Sequence, residues 1–283
     1  MSVPAFPDIS KSSNDLLNKD FYHLSAATLE LKSSTPSNVS FKVTGKSTHD
    51  GANSGALEAK FVDKPNGLTL TQTWNTVNAL DTKIELNDVI AKGFKAEVMG
   101  SFLPASQNKG LKANLHFKQS NFHGRALFDL LKGPTATVDA VIGQDGFLAG
   151  ASAGYDVQKA AVTNYSAAVG YSAPTYTASI TAASNLSVFQ AAYYHKVNSL
   201  VEAGAKATWD SKSGNQVGLE LASKYRIDPV SFAKAKINDR GIAAFSYNVL
   251  IRPGVTLGLG ASVDTQKLDQ AAHKIGTSFQ FDA

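Results

Sequence analysis

From about residue 25 to the end of the chain, apolar and polar residues alternate one for one. Leu29 and Leu31 alternate with Thr28, Glu30 and Lys32; Val39, Phe41 and Val43 with Ser40, Lys42 and Thr44. Leu111, Ala113, Leu115 and Phe117 oppose Lys112, Asn114, His116 and Lys118, and Val217, Leu219 and Leu221 oppose Glu220 and Lys224. A period of two means strands, with one row of side chains on each face. No charged residue falls on the apolar rows chosen in this way, although residues 147–155 and 186–195 can be read in either phase. Turn signals separate the strands: PNG at 65–67, NKG at 108–110, QDG at 144–146 and NDRG at 238–241. At ~10 residues per strand and ~3 per turn, the chain after residue 24 holds about nineteen or twenty strands.

Only one stretch before this reads as a helix. In DISKSSNDLLNK, residues 8–19, Ile9, Leu16 and Leu17 share a side, and Lys11, Asn14, Asp15 and Lys19 fall elsewhere. Asp8 is the expected cap, and Pro4 and Pro7 fit a helix start. The expected division is therefore a helical segment over 1–24 and a β domain over 25–283.

The second face of the strands decides the architecture. In VTLGLGASV, residues 255–263, the row opposite the aliphatic one is Thr256, Gly258, Gly260 and Ser262. Elsewhere that row carries Lys and Glu. A soluble sandwich would need well-charged outer faces throughout. A wide barrel accounts for both rows: the apolar one meets lipid, and the other lines a water-filled bore. Closure satisfies every strand edge, as hydrocarbon demands. A Lys or Arg facing mid-bilayer costs ~2–4 kcal/mol, which explains charge-free apolar rows. The fold class expected is all-β, a transmembrane barrel with a short amphipathic N-terminal helix. Both rows of 255–263 are expected to face a solvent, one oil and one water.

Composition narrows the function. Charged residues are 18% of the 283, below the usual quarter, while hydrophobic residues are an ordinary 43%. The net charge of +4 comes with no long basic run, which argues against a nucleic-acid partner. Cysteine is absent, so thiol chemistry and Cys-based metal sites are excluded. The six histidines are scattered without metal-ligand spacing. GASAG, 150–154, fits the nucleophile-elbow pattern, but no helix follows it. No enzyme and no cofactor are expected. MSVPAFPDIS has neither a basic n-region nor an apolar h-region, so no secretory signal is expected.

Several stretches resemble a known family. GLTLTQTWNT (67–76), RPGVTLGLGASVD (252–264), HKIGTSFQFDA (273–283) and the lead-in DISKSSNDLLNKDF look like the mitochondrial voltage-dependent anion channels, the eukaryotic porins, and a fungal member in particular. The resemblance covers essentially the whole chain. It implies nineteen strands, a strand number already on record for that family, with the N-terminal helix in the lumen. It further implies a voltage-dependent, weakly anion-selective pore of the mitochondrial outer membrane. ATP, ADP and small anions would be permeants, lipid the surroundings, and a homo-oligomer and a docked kinase the partners. Two other readings compete: a protein-import barrel of the same membrane, which would carry longer flanking extensions, and a soluble β-rich binding module.

Residue roles follow from the same resemblance. Lys11 and Lys19 align with lysines implicated in ATP contact, and equally suit a solvated helix face. A nucleotide site aligns with Ile242, Ala243 and Ala244, and with Gly260, Ala261, Ser262, Val263 and Asp264; the glycine expected in the first stretch is Ala244 here. Asp15 and Lys19 on the helix, with Lys95 and Lys112 on the wall, are assigned to gating and selectivity. Lys274, Gly276, Phe279 and Phe281 match the pattern of mitochondrial barrel-insertion signals, a reading favoured over an ordinary amphipathic final strand. Gln72 shares the row of Leu68, Leu70 and Trp74, where many animal relatives carry glutamate; it cannot ionise. The lumen row holds twelve cations (Lys32, Lys42, Lys60, Lys83, Lys95, Lys112, Lys118, Arg125, Lys206, Lys224, Lys234, Lys236) against nine anions (Glu30, Glu58, Asp81, Glu85, Glu97, Asp129, Asp139, Glu202, Glu220). That modest surplus, screened over ~8 Å, predicts a weak anion preference.

Overall fold

A computed structural model describes residues 3–131, 133–214, 216–270 and 273–283. Nineteen strands form a single closed sheet. They are β1 (Ala27–Ser34), β2 (Val39–Ser47), β3 (Asn53–Asp63), β4 (Leu68–Asn75), β5 (Leu80–Asn87), β6 (Phe94–Leu103), β7 (Asn108–Lys118), β8 (Phe122–Asp129), β9 (Thr135–Gln144), β10 (Phe147–Asp156), β11 (Ala161–Ser172), β12 (Tyr176–Ala183), β13 (Val188–Lys196), β14 (Val201–Asp210), β15 (Val217–Asp228), β16 (Ser231–Asn238), β17 (Ile242–Arg252), β18 (Val255–Asp264) and β19 (Lys274–Asp282). Each pairs antiparallel with the next in sequence. An odd number of such strands cannot close antiparallel, because the first and last then run the same way. The seam is accordingly parallel, from Ala27↔Thr277 to Lys32↔Asp282.

The outer surface is the apolar row. Leu29, Phe41, Leu57, Ile84, Val98, Val138, Leu219, Leu221 and Phe245 are all exposed. In water such a surface would aggregate; around a closed barrel of strands 8 to 12 residues long it is a lipid contact. Among the described residues no helix is long and apolar enough to cross a membrane. The two ambiguous stretches now have a phase: Phe147 and Tyr155 are exposed in β10, Phe189 and Tyr193 in β13. Outward aromatics cluster near one rim, where Phe147 and Tyr171 meet edge to face at 4.8 Å and Tyr171 and Tyr176 lie tilted at 5.8 Å. Phe189 and Trp209 stack at 5.4 Å toward the other. Such girdles sit at membrane interfaces, where a ring is half wet.

The N-terminal helix differs from its expected form. A 3-10 turn, Phe6–Asp8, with Pro7 in its first positions, precedes α1 (Lys11–Asn18). The residue at the helix N-cap is Ser10, not Asp8, and it makes no side-chain capping bond. Asp8 has been drawn into the preceding turn, where its N–H bonds to the Ala5 carbonyl at 2.9 Å. The helix buries Ser13, Leu16 and Leu17, spaced three and four apart on one face. An eight-residue helix is marginal alone, so packing on the wall must hold it.

Candidate functional site

The lumen is a barrel bore with an N-terminal strap laid sideways across its wall. Val3 and Ile9 pack with Val141 and Ala168, joined by Phe6 and Leu148. Leu16 and Leu17 pack on Ala222 and Tyr194. A second 3-10 turn, Tyr22–Leu24, lies on β18 and β19 before the chain enters β1. Glycines make the seat. A Cβ at Gly143 would press on Val3, at Gly150 on Phe6, at Gly170 on Ile9 and at Gly204 on Leu16. At Gly258, Gly260 and Gly276 it would collide with Tyr22, His23 or Ser25. Glycine within a strand marks such close approach.

This corrects the expectation that the small row of 255–263 faces water. Gly258 and Gly260 lie under the strap, and Ser262 is 8% exposed. The bore is wet only where the strap leaves the wall bare. The aliphatic row of the same strand keeps its place outside, with Leu259 exposed.

Several charges on the bare wall are compensated by ion pairs. Lys83 and Lys95 bridge Glu85 and Glu97: Lys83 lies 2.6 Å and 3.4 Å from them, Lys95 2.9 Å and 2.6 Å. The two carboxylates are cross-strand partners, a repulsive arrangement that the lysines relieve. Lys95 is thus a member of a quartet rather than a free lumenal cation. Glu30 takes Lys32 at 2.6 Å and Lys42 at 3.0 Å. Arg125 grips Asp139 with two nitrogens, the closer contact at 2.6 Å. Lys112 stands opposite Asp129 on β8.

The strap carries its own charge ladder. Asp15 lies 3.4 Å from Lys11 and 2.9 Å from Lys19, four residues away on either side. Burial acts to raise the Asp15 carboxyl, but Lys19 and Lys11 outweigh it and hold the group below its ordinary value. Asp15 in turn raises Lys19. Burial, helped by Asp20, pushes the Tyr22 hydroxyl up to about 12, and Asn248 Nδ2 donates to that hydroxyl.

His23 is buried, and its carbonyl accepts a bond from His49 Nε2 at 2.8 Å. Its own Nδ1 has no partner among the described residues. Burial first, then Lys236, Lys274 and His49, drive its pKa below the ordinary 6.5. The unfolded imidazole therefore takes up a proton before the docked one does. The stabilisation from docking is complete above pH 6.5 and is lost as pH falls through the lowered value. Acidification is expected to loosen the strap, read as faster tryptic cleavage after Lys19 in the refolded barrel. His23→Gln should flatten that dependence; an unchanged slope would exclude His23 as its origin.

The remaining assigned residues divide. β17 and β18 bring the two aligned nucleotide stretches side by side, with Ile242↔Asp264, Ala243↔Val263 and Ala244↔Ser262 in register. Alternation then splits them: Ala243, Ala261 and Val263 lie on the lipid-facing row. On the lumen side Ala244 is 1% exposed and Gly260 is covered. Lys11 borders a cleft of about 910 Å³ with Asp8, Ser12, Gln144 and Tyr171. Gln72 is exposed on the outer face opposite Thr82 of β5. Lys274 opens β19, Gly276 is buried under the strap, and Phe279 is exposed outside. Sequence reasoning missed the roles of Lys234, Lys236 and Asn248, whose partners lie more than 200 residues away.

A closed barrel with a lipid-facing exterior and a charged bore is a membrane pore. The chain belongs to the eukaryotic porin family, whose model matches residues 2–276. It is 75% identical over its full length, and that of the relative, to "Mitochondrial outer membrane protein porin" of Neurospora crassa. It is 40% identical, again over both full lengths, to "Non-selective voltage-gated ion channel 1" of Saccharomyces cerevisiae. A mutant of Rh. blastica porin is similar in fold, with a TM-score of 0.51 at 11% identity, covering 81% of this chain and 90% of that one.

Proposed function

We propose that the protein is a voltage-dependent pore of the mitochondrial outer membrane, passing ions, ATP, ADP and small organic anions down their gradients. The observation that carries this reading is the charged segment strapped inside an otherwise open bore. Displacing its charges in a field does electrical work, so voltage can bias where it sits. The names borne by the fungal relatives support both the membrane and the voltage response.

Weak anion preference is the finer part. Among the charges that sequence alternation assigns to the lumen row, cations exceed anions by three, twelve against nine. Ion pairing at Glu30, in the quartet and at Asp139 neutralises much of both signs. What remains is a mild bias in a screened, wide bore and not a filter. A nucleotide would pass as a polyanion, with Lys11 at its cleft and Lys19 on the solvent side of the helix as mobile phosphate contacts. Kinase docking that depends on an acid has no ionisable group at Gln72.

Planar-bilayer recording tests the reading. Reversal potentials in a salt gradient should show a small anion preference in the open state, and conductance should fall at high voltage of either sign. Cation preference in the open state would remove the selectivity claim, and conductance indifferent to voltage would remove the gating claim.

A further inference from the structure

The C-terminal end of α1 is held by two lysines of β16. Lys234 and Lys236 are two apart on one strand, so both point into the bore. Lys234 Nζ donates to the carbonyls of Lys19 at 2.6 Å and Asp15 at 3.3 Å, and lies 3.9 Å from the Asp20 carboxylate. Its side chain is 2% exposed. Lys236 Nζ donates to the Leu17 carbonyl at 3.0 Å. Both ammonium groups also approach the Phe21 ring, at 4.9 Å and 4.7 Å from its centre.

Each contact has a physical reason. The last carbonyls of a helix lack partners inside it and mark the negative end of its dipole, where a cation is favoured. A ring face attracts cations as well. An ammonium removed from water is costly unless its donors are filled. The contacts that fill those of Lys234 all come from residues 15–21 of the strap. If the strap lifts, both lysines return to the water of the bore and rehydrate. The contact therefore has two satisfied states, one docked and one hydrated, as a reversible gate requires. The surrounding wall adds charges and no hydrogen bond to either ammonium among the described residues: Glu202 on β14 attracts Lys234, Glu220 on β15 attracts Lys236, and Lys224, the cross-strand neighbour of Lys234, sits over the Phe232 ring.

We propose that Lys234 and Lys236 are the latch of the strap: positioning residues that set how readily the N-terminal segment leaves the wall. The proposal deepens the voltage-closure reading and rests on it for its electrical consequence.

The test uses the full chain in planar bilayers. Methionine keeps the length of the lysine stem but has no donors. In K234M/K236M the closed-to-open ratio at a fixed closing voltage, with each variant scaled to its own open conductance, should rise about tenfold, or about 1.4 kcal/mol. K236M alone should shift in the same direction. K236R keeps N–H donors and the cation and should behave as wild type, which a purely steric role would not predict. A second measurement needs no voltage. The chain has no cysteine and Leu17 is fully buried, so Leu17→Cys offers a single hidden thiol. A water-soluble maleimide should label it slowly in the wild-type background and faster with K234M/K236M. Unchanged labelling in the double variant overturns the latch whatever the voltage response. A wild-type channel that never closes overturns the voltage reading, and labelling then judges the latch alone.

Discussion

Gly260→Val should unseat the N-terminal strap while leaving the barrel closed. A Cβ at this position would lie 2.6 Å from the His23 nitrogen and 2.8 Å from that of Tyr22. Those are backbone atoms, which cannot swing aside as a side-chain tip can. The strap must lift, and the buried contacts of Phe21, Tyr22 and His23 go with it, along with the Asn248 bond to Tyr22. Burying one large apolar side chain is worth roughly 1.5–3 kcal/mol, and the strap segment nearest Gly260 contributes more than one ring. The strand itself gains, because valine suits a strand better than glycine. Its cross-strand partners, Gly276 and Ser246, are small and leave room in the wall. The expected result is a barrel with normal strand content whose residues after Lys11 and Lys19 are cleaved by trypsin at least about tenfold faster, a factor worth about 1.4 kcal/mol. Gly100→Val is the matched control, since a Cβ there meets open space on the outer face. Equal cleavage of the two variants would refute the seat.

The same glycines show where sequence reasoning stops. Alternation gave the two faces because lipid and water impose it residue by residue, and one charge on the wrong row would have been visible at Leu219 or Phe245. Closure followed from hydrocarbon, which leaves no strand edge unpaired. The parallel seam follows from an odd strand number, and the count by length left nineteen and twenty both open. What alternation cannot carry is what lies against the inner row. A small residue beside water and a small residue beneath a strap look alike in a list of letters. One signal was present: glycine recurs at lumenal positions of β9, β10, β11, β14, β18 and β19, whereas β1 to β3 and β5 to β8 place charges there. Glycine costs strand stability, so its repetition on one side of the barrel indicates a backbone nearby. Pairing was hidden for a different reason. Lys95 reads as a free cation until Glu85 and Glu97 arrive from two strands in register. The latch lysines were equally opaque, since Lys234 meets the helix end only because the strap runs around the wall to β16.

The Arg125–Asp139 pair should show an asymmetry that only a partly buried ion pair gives. Asp139 is 3% exposed and is gripped through both oxygens, whereas Arg125 keeps 16% of its side chain open toward the bore. Removing one partner of a buried pair costs about 3–5 kcal/mol, because the charge left behind is neither solvated nor matched. Arg125→Met leaves a carboxylate that cannot reach water and should approach that full cost. Asp139→Asn leaves a guanidinium whose long stem can swing its head into the lumen, so a loss of only about 1–3 kcal/mol is expected. Replacing both, as R125M/D139L, deletes the charges together and should recover most of the loss, since well-packed apolar pairs commonly match buried ionic ones. Urea unfolding of the refolded barrel in lipid vesicles measures all three. The order expected for the midpoint is wild type, then the double variant and D139N, then R125M lowest. A double variant no more stable than R125M would mean that the wall at β8 and β9 depends on the shape of these side chains and not on the compensation of their charges.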